Sequence, residues 1–277
     1  MYDIRLVTDD VKLYKGYISP DIYAGFSNMS NRFLLVGFDE GKAVGICVFD
    51  AAPVTGIVDV GITADCKNRN KLRRGFIRAM LGICENLHAK VLTLSLYDDD
   101  DFSEWKMVLE EYRFEMDEVT MFYRFKIDSI YENPRFMKLK KNHHTVLLEK
   151  AGAEQIGEFD LYLKESGMFA GLTDERIRRD LSSVYIEKDK IEGVLLISDI
   201  PDGICVEYVY VSDRDSKMFA ALVGKTVNAI ASDRNLTETA VGELACVNKA
   251  SVKLFLKLFP EYEKLGEQRT YFTAIEM

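Results

Sequence analysis

The chain has 277 residues, 48% hydrophobic and 29% charged, enough apolar material for two cores and too much for a disordered chain. Its formal net charge of −9 argues against nucleic acid or an anionic membrane surface as partner, because both require a basic footprint. No apolar run reaches the length of a membrane span, and the stretch Met1–Gly16 lacks the apolar core of a secretory signal. The five cysteines (Cys47, Cys66, Cys84, Cys205, Cys246) show no CxxC and no metal-ligand spacing, so a cytoplasmic protein with buried reduced thiols and no metal centre is expected.

In chain order, Asp3–Val7 reads as an opening strand, and Asp9–Tyr17 and Pro20–Met29 as helices. Phe33–Phe38 and Ala43–Phe49 read as strands joined by the turn Asp39-Glu40-Gly41-Lys42, and Ile57–Ile62 as a third. A basic stretch, Lys67–Arg74, precedes a helix running from Gly75 to about Ala89. Then come a strand over Lys90–Tyr97, ending in the acidic run Asp98–Asp101 (a solvated strand end), a helix over Phe102–Tyr112 and a strand over Val119–Phe125. Residues 128–142 lack periodicity and are read as a linker between a domain at 1–127 and a second at 143–277.

After the linker the order restarts. Thr145–Glu149 reads as a strand, Glu154–Ser166 and Thr173–Leu181 as helices, and Ser183–Lys188, Gly193–Ser198 and Ile204–Val211 as strands. A helix over Lys217–Ser232, a strand over Thr239–Val247, a helix over Lys249–Phe259 and a strand over Arg269–Ile275 complete it. Two copies of one topology account for this order, and a shift of 148 residues lays Gly45 and Pro53 onto Gly193 and Pro201 and Asp59 onto Glu207.

With these elements in place, each half resembles the GCN5-related N-acetyltransferase (GNAT) superfamily. The residues that carry the resemblance are the strand–loop–helix units around Asp59 and Glu207 and the segment Val247-Asn248-Lys249-Ala250-Ser251 followed by Leu254-Phe255. In the family that segment ends in an aliphatic-Tyr pair, and Phe255 and Leu109 hold the Tyr position in the two halves. The family's phosphate motif, Arg/Gln-x-x-Gly-x-Gly/Ala, is matched in part by Leu72-x-x-Gly75-x-Ile77, with Arg73 and Arg74 beside it and Lys67, Arg69 and Lys71 before it. The second half offers Arg214, Ser216, Lys217, Met218, Phe219 and Ala220, without glycine.

The resemblance implies an α/β (α+β) fold of two tandem acyl-CoA N-acyltransferase-like domains, each a mixed, mostly antiparallel sheet flanked by helices. It implies acetyl-CoA as co-substrate, bound by Arg73, Arg74, Gly75, Phe76, Val209, Val211, Lys217, Met218, Phe219 and Asn248, with backbone N–H groups at a helix N-terminus taking the pyrophosphate. Acetyl transfer to an amine needs a proton acceptor, for which Glu207 and then Asp59 stand in place, and a donor for the departing thiolate, for which Tyr210 or Tyr208 stands nearest. The other readings of these residues are a solvated outward carboxylate at Glu207, an exposed basic loop at Arg73-Arg74 and a helix cap at Asn248.

Gly224-Lys225-Thr226 mimics the end of a phosphate-binding P-loop, but Phe219 occupies the position of its first glycine and the tripeptide falls inside a helix. Two functions stay open. One is an N-acetyltransferase acting on a small-molecule or peptide amine, cationic if the net charge steers it, as a monomer with pseudo-twofold halves or a homodimer. The other is a catalytically silent tandem serving as a binding module.

Overall fold

The computed structural model describes residues 2–275 except 9, 19–21, 24, 25, 27–30, 52–54, 98–101, 140, 141, 166–171, 213, 214, 234, 235 and 237–239; it leaves out the side chains of 132, 137, 164 and 165. The acidic run 98–101, Pro53, Arg214 and most of the helix expected over 20–29 therefore lie outside the described residues.

The chain divides into two compact units, residues 1–119 with 267–277 and residues 120–266. The first holds β1 (Asp3–Val7), a 3-10 helix (Val11–Tyr17), β2 (Arg32–Asp39), β3 (Lys42–Asp50), β4 (Gly56–Ile62), α1 (Arg69–Asn86), β5 (Val91–Tyr97) and α2 (Phe102–Glu111). β6 (Glu115–Lys126) leads into the second unit, followed by the short helices α3 (Asp128–Glu132) and α4 (Pro134–Met137), β7 (Thr145–Leu147) and α5 (Ala153–Glu165). β8 (Ser183–Glu187), β9 (Lys190–Ile200), β10 (Gly203–Val211), α6 (Ser216–Ile230), β11 (Val241–Cys246), α7 (Lys249–Leu258) and β12 (Tyr262–Ala274) complete the chain.

The strand order is β1-β2-β3-β4-β5-β12 in the first unit and β6-β11-β10-β9-β8-β7 in the second. Each sheet is antiparallel except for one parallel pair, β4 with β5 and β10 with β11. The closing strands are exchanged: Met121–Lys126 of β6 pair with β11, and Gln268–Ala274 of β12 pair with β5. The compact units thus cross the expected boundary at 127. The segment expected as a linker carries α3 and α4, and its Ile130 and Phe136 are buried in the second unit's core.

Helices cover both faces of each sheet's centre, so the middle strands read as nearly continuous apolar runs. In β9, Leu195 and Ile197 join the core beneath α6 and α7, while Val194 and Leu196 join the core beneath α5. The hairpin turns repeat as well: Glu40 and Gly41 (φ 51° and 82°) correspond to Lys188 and Asp189 (φ 49° and 63°). This left-handed backbone is open to glycine at no cost and tolerated by Asp.

Two expected helices differ. Thr173–Leu181 is a run of turns bearing a bridge from Ile177 to Ser198. Asp174 Oδ1 accepts from its neighbour Arg176 N at 2.9 Å, and Arg178 N donates to Ile197 O at 2.7 Å, so the backbone is satisfied without a helix. The helix expected from Gly75 starts six residues earlier, at Arg69, which makes most of the basic stretch helical rather than a loop.

Candidate active site

β10 carries most of the site. Its parallel ladder with β11 runs from Gly203↔Val241 to Val206↔Leu244 and stops, while β10 itself continues to Val211. On the other edge β10 stays paired with β9 as far as Val211↔Gly193, but the register slips between Val206 and Tyr208 and leaves Glu207 as the extra residue of a bulge. A bulge bends and twists its strand, and this one falls where β10 parts from β11. The gap opens into a cavity of about 420 Å³, walled by Val206, Val209, Phe219, Val227, Leu244 and Phe255 among others. On β10, Glu207, Tyr208 and Val209 line this gap beyond the end of the β11 ladder.

Glu207 stands exposed at the cavity wall, its Oε1 accepting from the buried Ser198 hydroxyl at 2.5 Å. Val209 lines the cavity, whereas Val211 packs into the core beneath α6. Tyr208 borders the cavity and also packs toward α5, where burial raises its phenol. Tyr210 packs on that face, 3.3 Å from the Tyr162 hydroxyl. That hydrogen bond, then burial, pushes Tyr210 up to about 12. Cys205, beneath Glu207 and Glu243, is also pushed up to about 12, mainly by burial.

The helix that follows departs from a phosphate cradle. Asp215 caps α6, its Oδ1 accepting from Lys217 N at 2.7 Å, so a carboxylate already holds a first-turn N–H. Lys217 is exposed, Met218 is buried in the core and Phe219 is a cavity wall. Asn248 caps α7: its Oδ1 accepts from Ala250 N and Ser251 N at 3.0 and 2.9 Å, and its own N–H donates to Ser251 Oγ at 3.1 Å. This reciprocal capping box accounts for Asn248 and Ser251 without a ligand. Phe255 is buried, stacked on Tyr123 at 4.5 Å between ring centroids.

The first unit repeats the backbone plan with different contents. β4 pairs with β5 only at Gly56↔Thr93 and Ile57↔Leu94, and its slip against β3 makes Val58 the extra residue. The register therefore corrects the sequence alignment by one. Gly45 and Gly193 remain equivalent, but Val58 corresponds to Glu207 and Asp59, opposite Val48, corresponds to Tyr208, opposite Leu196. Asp59 does not hold the position of Glu207, because the connection between the two strands is one residue longer in the second unit.

Arg73 turns inward from α1. It is 5% exposed, paired with Glu104 and Asn70, and its guanidinium lies 5.0 Å from the Trp105 ring. Arg74 pairs with Glu111 at 2.6 Å. Gly75 lies in the second turn of α1, where an added Cβ would come 3.3 Å from Ile4, and Phe76 is fully buried. These four residues serve the packing of α1 against β1 and α2. Trp105 stands four residues before Leu109, as Ser251 stands four before Phe255. The buried Trp105 and Arg73 thus occupy the side of the first unit that the cavity occupies in the second.

Sequence reasoning missed Ser198, Asp215 and the Arg73–Glu104–Trp105 cluster. Asp215 carried a legible signal, an Asp immediately before a helical run. The others depend on contacts between distant segments. Among the described residues no group of His, Cys, Asp and Glu could hold a metal ion, and no helix is long and apolar enough to cross a membrane.

No family model and no curated protein matches the sequence. Solved structures do match. A GCN5-related N-acetyltransferase from Sphaerobacter thermophilus, 13% identical, aligns over 93% of this chain and 85% of its own with a TM-score of 0.60. A probable N-acyltransferase from Enterococcus faecalis V583, 10% identical, aligns over 100% and 73% with a TM-score of 0.63. A tandem GNAT protein from the clavulanic acid biosynthesis pathway, 10% identical, aligns over 99% of both chains with a TM-score of 0.60. The chain has the GNAT fold, twice in tandem.

Proposed function

We propose that this chain is an acyl-CoA-dependent N-acyltransferase whose working half is the second unit, with the thioester of acetyl-CoA entering the gap between β10 and β11. The observation that carries this reading is the parting of β10 from β11 at the Glu207 bulge, which places a carboxylate, a strand edge beyond the β11 ladder and an apolar cavity together. The cavity suits an acyl group and its pantetheine arm. The N-terminus of α6, capped by Asp215, offers the pyrophosphate less than the fold's usual cradle, so its phosphates are held weakly.

In this reading Glu207 accepts the proton of the attacking amine, held in place by Ser198. A main-chain N–H of the Val209–Val211 stretch donates to the thioester oxygen as negative charge develops there. Tyr210 is a poor donor to the departing thiolate: an ordinary thiol titrates near 8.5, and a phenol at about 12 surrenders its proton to it only uphill. The proton comes instead from solvent at the open end of the gap. The acceptor is an amine, and the five free cysteines suit a reducing compartment such as the cytoplasm.

A second reading, a silent binding module, draws on the Asp215 cap and on Phe255 in place of the usual Tyr. Calorimetric titration with acetyl-CoA separates the two. Saturable binding that is lost in Ser251→Trp, which gives the second unit the residue that fills the first, supports the enzyme. A parent protein that binds no acetyl-CoA and releases no thiol with a broad panel of amines leaves only the module.

A further inference from the structure

A second cavity, of about 670 Å³, lies along a different face of α6. Ala221, Gly224, Lys225 and Asn228 line it from the helix, Thr145 and Leu147 from β7, and Asp180 from the turn before β8. Its polar groups are unevenly satisfied. Thr145 is 4% exposed, yet its Oγ1 has no hydrogen-bond partner among the described residues. A buried hydroxyl left unpaired is costly, and such groups call for an unseen partner.

The unused hydrogen-bonding capacity is weighted toward donors. Lys225 has no ion pair among the described residues, so its ammonium offers all of its protons. Asn142 Oδ1 accepts from His144 N at 2.8 Å, which leaves its amide N–H groups free to donate. Asn228 uses its amide nitrogen on Gly224 O at 2.6 Å. The two acidic walls are already answered: both oxygens of Asp180 accept from Arg178, at 2.9 and 2.8 Å, and Asp233 accepts from the same guanidinium at 2.7 Å.

We propose that this cavity binds a small anion through carboxylate or phosphate oxygens, with Lys225 Nζ, the Thr145 hydroxyl and the Asn142 amide as donors. The proposal is independent of the gap at β10. It also resolves the Gly224-Lys225-Thr226 tripeptide. Gly224 admits Leu139, whose Cβ would stand 3.0 Å from an added Cβ; Thr226 Oγ1 donates to Ser183 Oγ at 3.0 Å; of the three, Lys225 brings the charged side chain to the cavity lining.

The test is calorimetric titration of the full chain with inorganic phosphate and, separately, with malonate. One of them is expected to bind saturably at about 1 mM or tighter, and which one does so names the anion class. Lys225→Met should weaken it at least ~10-fold and Thr145→Val about 5-fold, as expected for a charged and a neutral hydrogen bond. Thr145→Val should also leave the melting temperature of the free protein equal or higher, since it removes an unpaired hydroxyl. Ser251→Trp, at the other cavity, should bind the anion as the parent does. The proposal is overturned if neither anion saturates by ~50 mM, or if both Lys225→Met and Thr145→Val bind as the parent does.

Discussion

The Ser198 hydroxyl donates to Glu207 Oε1 at 2.5 Å across the β9–β10 bulge. The residue inserted by the bulge is thereby tied to the adjacent strand, and its carboxylate is held at the wall of the gap rather than left to swing in solvent. Replacing Glu207 by Gln keeps the size of the side chain and removes the proton acceptor. Turnover, followed as free thiol released from acetyl-CoA, should fall ~10²–10⁴-fold, with the affinity for acetyl-CoA unchanged. Ser198→Ala, which frees the carboxylate without removing it, should cost less, on the order of 10-fold. Parental turnover in Glu207→Gln would place the base elsewhere.

In the first unit, Arg73 is held inside by Glu104, Asn70 and the face of Trp105. Glu104→Gln leaves a buried guanidinium without its counter-charge. Breaking such a pair costs about 3–5 kcal/mol when both partners are buried. With the Glu104 side chain 33% exposed, solvent screening should bring the loss to about 2 kcal/mol. Urea unfolding monitored by the fluorescence of Trp105 reads this unit directly, as the chain has one Trp. An unchanged midpoint would mean that water, not Glu104, answers the charge.

Asn248 offers a clean separation of roles. If it only caps α7, Asn248→Ala should cost about 1 kcal/mol of stability and leave the dissociation constant of acetyl-CoA where it was. If affinity falls much more than stability explains, the side chain also reaches the co-substrate.

The Arg178 cluster sets a pH dependence. Its hydrogen bonds hold the Asp180 carboxyl below the usual carboxylate range. A lowered folded-state value contributes stability above the unfolded value, near 3.9, which is lost as pH falls through the lower one. Arg178→Met should therefore destabilise the protein near neutrality, the more so because it takes a hydrogen bond from the Asp233 side chain, only 7% exposed. The gap between variant and parent should narrow below about pH 4. Melting curves across that range check it; a constant gap would assign the loss to packing alone.

Strands with apolar alternation, glycine-bearing turns and the repeated order were legible because each is written in neighbouring residues. The bulge was not, since an extra residue in a strand exists only relative to its partner. A single added residue between β9 and β10 set Glu207 off the position of Asp59, and side chains of period two make such a slip decisive. Arg73 looked like a phosphate ligand because a basic run before a glycine suggests a loop. That glycine in fact makes room for Ile4, and α1 begins at Arg69. The helix expected over 173–181 failed because Asp174 and Arg178 satisfied the chain by other means.

The exchange of β6 and β12 also bears on the order of synthesis. Residues 1–119 leave the ribosome first, but β5, with Leu92, Leu94 and Leu96, cannot pair with its closing strand until residues 268–274 have been made. For most of translation it is a bare apolar template, open to the wrong strand or another nascent chain. Splitting the gene after residue 127 would give two fragments, each lacking the strand the other carries. The half made first is the half finished last.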